Sequence, residues 1–215
     1  MPGVTISASF GAEGSVIAPA IAKRLGLHYM DRAISGRVAQ QLGVSVAEAN
    51  AGAVNRSLVD RVLRSLAPLS DGAFGVSADH DPSPEGREAD RFRSQSEQIM
   101  REAMATGAVI LGRGGSAAFI RSADVLRVRL YGPVEARIAA AARVEGTDIA
   151  TARKRLPEVD RARAHYVRRL YGVDIDDSAF FHLQLDTTAI PRDTCLAIIE
   201  AAYHAVLAAA DAPAP

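Results

Sequence analysis

The residues Val4-Thr5-Ile6-Ser7-Ala8-Ser9-Phe10-Gly11-Ala12-Glu13-Gly14-Ser15-Val16-Ile17-Ala18 decide the fold. The β-branched, alternating run at 3–9 reads as a strand. Gly11 and Gly14 mark a loop at 10–14, after which Val16, Ile17, Ile21 and Leu25 recur at helical spacing until Gly26. Glycines let backbone N–H groups turn inward, and a helix N-terminus carries partial positive charge, so a loop of this kind can cradle a phosphate. The same residues also suit an ordinary strand-to-helix turn, and the pattern alone leaves both readings open.

Further along, strand-like and helix-like stretches alternate. Leu27-His28-Tyr29-Met30 reads as a short buried strand, and Asp31 is placed to cap a helix through Ile34, Val38 and Leu42. Ser45 with Glu48 forms a capping box, and Leu58, Val62, Leu63 and Leu66 suit an amphipathic helix. From Pro68 to Asp90 the chain turns rich in Gly, Pro, Ser and Asp and reads as an exposed, mobile segment. A helix over about 90–106 precedes the apolar strand Ala108-Val109-Ile110-Leu111, and Gly112-Arg113-Gly114-Gly115 opens a short helix through Ile120. Val125 to Tyr131 is the next strand, with Pro133 at the first turn of a helix to about Val144. Asp148–Arg155 and Asp160–Leu170 read as a basic helical pair around Pro157. Leu183-Gln184-Leu185-Asp186 is the last strand, a closing helix runs from Pro191 to Leu207, and residues 208–215 read as a frayed tail. Strands separated by helices predict a parallel α/β sheet, whose ligands bind outside the carboxyl ends of its strands. The loop at 10–14, Asp31-Arg32 and Arg113 would all lie at that edge.

Composition narrows the partners. Across 215 residues, 48% are apolar, enough to fill a proper core. Formal charge is zero, so no global basic field recommends nucleic acid or an anionic membrane. Of the 25 basic residues only Lys23 and Lys154 are lysines, and the rest are arginines, whose planar forks suit phosphate oxygens. The single cysteine, Cys195, lies in an apolar helical run and excludes an internal disulfide. No charged-then-apolar leader opens the chain and no apolar run approaches membrane-spanning length, which predicts a cytoplasmic protein. His28, His80, His165, His182 and His204 lack metal-ligand spacing, and Asp174, Asp176 and Asp177 suit helix capping before Phe180 better than a cation loop. No metal site is expected.

Several of these segments together resemble the cytidylate kinase-like branch of the P-loop nucleoside monophosphate kinases. They are Thr5-Ile6-Ser7 through Gly11 and Gly14, Leu25 to Arg32, Val109 to Gly115, Asp160-Arg161-Ala162-Arg163-Ala164, and Leu183 to Thr187, in the family's order across most of the chain. The resemblance implies one domain over 1–215: a three-layer α/β P-loop fold with a central parallel sheet of about five strands. It also implies a helical acceptor-side insertion at 31–106 and a basic lid at 146–172. By the same resemblance, Gly11, Ala12, Glu13, Gly14 and Ser15 form the ATP-phosphate loop, and Asp31 and Arg32 border the acceptor nucleotide. Arg113 would hold the acceptor's monophosphate, while Arg161 and Arg163 would reach the transferred phosphoryl group from the lid. The implied activity is phosphoryl transfer from ATP, with Mg2+, to a pyrimidine nucleoside monophosphate such as CMP.

The chain departs from that pattern in the loop. Against G-x-x-x-x-G-K-[ST], Ser9 stands at the first glycine, Ser15 at the lysine and Val16 at the magnesium-binding hydroxyl. Members of this branch often carry Gly-Gly-Arg where this chain has Glu13, Gly14 and Ser15, and Glu13 adds negative charge beside the proposed phosphates. The alternative expectation is therefore a degenerate kinase fold that binds a nucleotide or phosphorylated ligand as a sensor or partner-binding module.

Overall fold

The structure, a computed structural model, describes residues 2–30 and 84–211. Strand β1 (Gly3–Ala8) lies at the centre of a five-stranded sheet with β2 (His28–Met30), β3 (Ala108–Leu111), β4 (Val125–Tyr131) and β5 (Leu183–Asp186). The order is β2-β3-β1-β4-β5 and every pairing is parallel. The helices are α1 (Gly14–Leu25), α2 (Pro84–Ala105), α3 (Gly115–Ala118), α4 (Val134–Glu145), α5 (Ile149–Tyr171) and α6 (Arg192–Asp211). The chain divides into two compact units, residues 1–31 with 97–215 and residues 32–96. Of the second, only helical residues 84–96 are described.

Alternation along the strands builds the layers. Val4, Ile6, Val109, Leu111, Leu126, Val128 and Leu130 face one way, where Ile17 and Ile21 of α1 and Cys195, Leu196, Ile199 and Tyr203 of α6 close over them. Ala108, Ile110 and Val125 face the other way, against Met100 and Met104 of α2 and Phe119. Each fully buried large aliphatic side chain contributes about 1.5–3 kcal/mol by leaving water. On this second face β4 changes character toward its carboxyl end, because Val125 is followed at the same-facing positions by Arg127 and Arg129. The register sets Thr5 beside Arg127 and Ser7 beside Arg129. A third cluster joins α4 to α5 through Ile138, Ala141, Ala142, Ala152 and Leu156, with Phe10 inserted from the β1–α1 loop.

Several boundaries differ from the sequence expectation. β2 is an edge strand with His28 and Tyr29 exposed, because only one side of it is covered by a neighbouring strand. Helix α2 begins at Pro84, so 84–90 is helical where an exposed segment was expected; proline has no N–H to lose at a first helical position. The expected helices before residue 68, and residues 68–83, lie outside the described residues. Pro157 does not divide the basic pair: α5 is one helix, capped by Asp148, whose side chain accepts from Thr151 N–H at 2.8 Å, and ended by Gly172 at φ 67°. The proline ring sits on the exposed side, while Ala152 and Leu156 pack on α4, and that packing outweighs one lost backbone bond. Helix α6 runs on to Asp211, beyond the expected start of the tail. Over Arg192–Ala210 it is long and apolar enough to pass for a membrane span, contrary to expectation, since His204 does not break a helix; its inner positions are those that pack on the sheet.

Candidate functional site

The sheet order sets β1 and β3 side by side with connections that run in opposite directions: the chain leaves β1 toward β2, and leaves β3 toward β4. Ligands of such sheets bind outside the carboxyl ends between such strands. The loops after β1 and β3 meet there, with Gly112 N–H donating to Ile6 O at 2.8 Å.

The β1–α1 loop is a tight turn in which Ala12 N–H donates to Ser9 O at 3.1 Å. Gly11 stands at φ 77°, and a Cβ there would meet Arg137 O at 2.0 Å, so only glycine fits. Ser9, Phe10, Ala12, Val16 and Ile17 have acceptors for their N–H groups. The N–H groups of Gly11, Glu13, Gly14 and Ser15 have none among the described residues, which makes the loop a donor cradle at the head of α1. Glu13 turns out of that cradle. Its carboxylate accepts from Arg143 at 2.6 Å and Arg192 at 2.8 Å, and its side chain is only 7% exposed. Burial alone would raise the Glu13 carboxyl, but hydrogen bonds from Arg192 and Arg143 outweigh it and hold it below the ordinary glutamate range. These two arginines, with Thr187 to Pro191, line an open groove of about 320 Å³.

The β3–α3 loop holds three successive positive-φ residues, Gly112 (77°), Arg113 (59°) and Gly114 (68°). Arg113 and Glu13 are the two non-glycine residues of positive φ among the described residues, and both sit at this edge. Such backbone costs roughly 1–3 kcal/mol each and persists where the surroundings impose it. Here Tyr171 imposes it: its hydroxyl donates to Arg113 O at 3.3 Å, and its ring lies so close that a Cβ on Gly114 would be 2.2 Å away. The half-buried Arg113 is therefore held by its backbone at the end of β3. Asp31 and Arg32 lie outside the described residues.

The third part was not foreseen. Arg129, 8% exposed, donates to Ser7 Oγ at 2.9 Å, Ser9 Oγ at 3.1 Å and Asp176 Oδ1 at 2.5 Å. Burial pushes its pKa down from the ordinary arginine range, and the Asp176 carboxylate works against that. Arg137 donates to Gly132 O, to Phe10 O and, at 2.7 Å, to Asp160 Oδ2. Asp160 Oδ1 in turn accepts the Phe10 N–H at 2.7 Å, tying α5 to the loop. Arg163 donates to Ala8 O at 2.7 Å. Ser9, Arg129, Arg137, Asp160, Arg163 and Asp176 surround a cavity of about 130 Å³ beside the end of β1. Arg161 is exposed on α5 and does not line it. Asp177 caps the short turn of helix at Ser178–Phe180, as its spacing suggested.

Sequence reasoning thus reached Arg163 but missed Arg129, Arg137, Asp160 and Asp176. Arg127 and Arg129 carried a signal: charges at alternate positions of an apolar parallel strand must find partners on one face. The aspartates carried none, since Asp160 meets Phe10 across 150 positions.

A parallel sheet of this order, with a glycine loop leading from its central strand into a helix and arginines gathered at that edge, defines an α/β nucleotide-kinase type of fold. A sequence model of the cytidylate kinase-like family matches residues 3–189, and the chain belongs to that family. A cytidylate kinase of Methanopyrus kandleri is 32% identical over 117 residues, 50% of this chain and 60% of that one. A cytidylate kinase of Aeropyrum pernix is 26% identical over 167 residues, 77% of this chain and 88% of that one. The solved structure of an uncharacterized protein from Eubacterium ventriosum superposes with a TM-score of 0.63 at 15% identity, covering 95% of this chain and 98% of that one, a likeness of fold.

The residues present fit a nucleotide's phosphates, through the four N–H groups of the loop that have no acceptor among the described residues. Among the described residues none is placed to hold Mg2+: Val16 stands where a hydroxyl would, and no group of three His, Cys, Asp or Glu side chains gathers there.

Proposed function

We propose that the chain is a nucleotide phosphotransferase that moves a phosphoryl group from ATP to a pyrimidine nucleoside monophosphate, with CMP the leading acceptor. The observation that carries this reading is the open donor loop of Gly11 to Ser15 beside the cluster of Arg129, Arg137 and Arg163, in a chain of this family. Bound ATP supplies the γ-phosphoryl group. An acceptor phosphate oxygen forms the new bond to the γ-phosphorus as the bond to the bridging oxygen breaks and ADP leaves. The acceptor is already an anion, so the protein need supply no base; it must align the partners and spread positive charge over the transferring oxygens. The loop from Gly11 to Ser15 holds the ATP phosphates, and Arg113 with Asp31 and Arg32 receives the acceptor. Arg163, from the lid at 146–172, faces the transferred group, while Arg161 lies on the exposed side of the same helix. Mg2+, where used, would have to be held largely by phosphates and water. ADP release coupled to a panel of CMP, UMP, AMP and GMP is expected to give the highest kcat/KM with CMP. No turnover with any acceptor removes the enzyme reading.

A second reading, a non-catalytic module that binds a nucleotide or phosphorylated ligand, is favoured by Ser15 and Val16 at the lysine and hydroxyl positions. Calorimetry with ATP and CMP separately discriminates: binding of CMP without ATP supports the module.

A further inference from the structure

We propose that the fork of Arg129, with the hydroxyls of Ser7 and Ser9, is a binding site for a phosphoryl oxyanion, and that Asp176 fills this site in the ligand-free chain. The two arginines of β4 differ in what they touch. Arg127 donates to two backbone carbonyls, Phe180 O at 3.0 Å and Phe119 O at 3.5 Å, which are fixed parts of the fold. Among the described residues Arg129 donates to no carbonyl and ends on two serine hydroxyls and one carboxylate. Each hydroxyl accepts from the guanidinium and still has a proton to donate. An anion entering at Arg129 would meet one planar fork and two O–H donors, a set that suits the several oxygens of a phosphate.

The partner that completes the site is the exchangeable one. Arg129 is 8% exposed, whereas the Asp176 side chain is 72% exposed on the segment after Gly172. Its backbone N–H is held by Asp174 at 2.9 Å, so the segment keeps its turn while the carboxylate can leave. The other charges facing the cavity stay engaged: Arg137 with Asp160, and Arg163 with Ala8 O. Losing an exposed carboxylate costs little, while a buried guanidinium left without an anion costs much, so a phosphate oxygen is the natural exchange. The cavity of about 130 Å³ lies alongside and is lined by Ser9, two residues before the loop that begins at Gly11.

The source of the phosphate rests on the kinase reading; the anion site itself does not. The test is titration calorimetry with inorganic phosphate on the full chain, for the wild type, Asp176→Asn and Arg129→Lys, alongside KM for CMP and ATP. Asp176→Asn removes the resident charge from Arg129 and should bind phosphate roughly three- to tenfold tighter, with a melting temperature that falls in phosphate-free buffer and is restored by added phosphate. Arg129→Lys should weaken it about tenfold or more, and Asp176→Asn stands alone as the test where Arg129→Lys does not fold. Equal or weaker phosphate binding by Asp176→Asn overturns the inference, and does so even where the wild type phosphorylates CMP. Tighter binding by Asp176→Asn supports it, and does so even where no acceptor is phosphorylated, in which case the kinase reading alone falls.

Discussion

The two arginine–carboxylate clusters at the carboxyl edge of the sheet are built with opposite polarity. Around the small cavity the cations are buried, with Arg129 8% and Arg137 9% exposed, and the exchangeable carboxylate lies outside, Asp176 at 72%, while Asp160, at 29%, is held by Arg137 and the Phe10 N–H. Around the groove the carboxylate is buried, Glu13 at 7%, and the cations lie outside, Arg143 at 71% and Arg192 at 45%. The buried member of each cluster belongs to the fold and the outer members can exchange. One cluster therefore keeps fixed positive charge for an incoming anion. The other neutralises a carboxylate beside the loop with two exposed arginines at its rim.

Substitutions can break this comparison at graded cost. Arg137→Ala should have the largest effect, because it leaves Asp160 Oδ2 and the carbonyls of Phe10 and Gly132 without the Arg137 donor. A loss of about 3 kcal/mol in urea unfolding is expected, and a loss under about 1 kcal/mol would mean that the buried cations do not hold the loop. Arg163→Ala comes next: loss of a charge-assisted phosphate contact should lower kcat roughly ten- to a hundredfold with KM for the monophosphate little changed. A change confined to KM would move Arg163 from the transferring group to ground-state binding. Ser15→Lys tests the loop itself and should tighten ATP about tenfold by adding a cation at the open N–H groups. Unchanged ATP affinity would detach the loop at 10–14 from the triphosphate. Glu13→Gln should have the smallest effect and shows itself in pH dependence. The folded carboxyl of Glu13 is depressed, so its contribution to stability is present above the ordinary glutamate range of about 4.3 and is lost as pH falls through the lower folded value. Chemical unfolding from pH 6 to 3 should thus decline less steeply in Glu13→Gln; parallel declines would mean that the arginines do not hold the ionised form.

Legibility in the sequence followed the range of the interactions. β1, the turn at Gly11, and α1 with its stop at Gly26 were readable because each depends on residues within a few positions. So were β3, β4 and β5, and the loops at one sheet edge followed from the rule for parallel sheets. Pro157 misled because a local rule met a tertiary one: proline penalises a helix interior, but the packing of Ala152 and Leu156 on α4 holds α5 together. Glu13 read as a liability in sequence, since the two arginines that neutralise it arrive from α4 and α6.

The sequence by itself determined the alternation of strand and helix, the parallel sheet, the glycine loop and the sheet edge at which the loops after β1 and β3 meet. Periodicity and glycine positions are local, and short-range backbone physics reads them directly. Only the tertiary structure decided which charges are buried and with whom. Arg129 meets Ser7 across 122 positions and Asp176 across 47, and Arg163 meets Ala8 across 155. A buried arginine takes whatever acceptors the completed fold brings within about 3 Å, and no spacing along the chain encodes that choice.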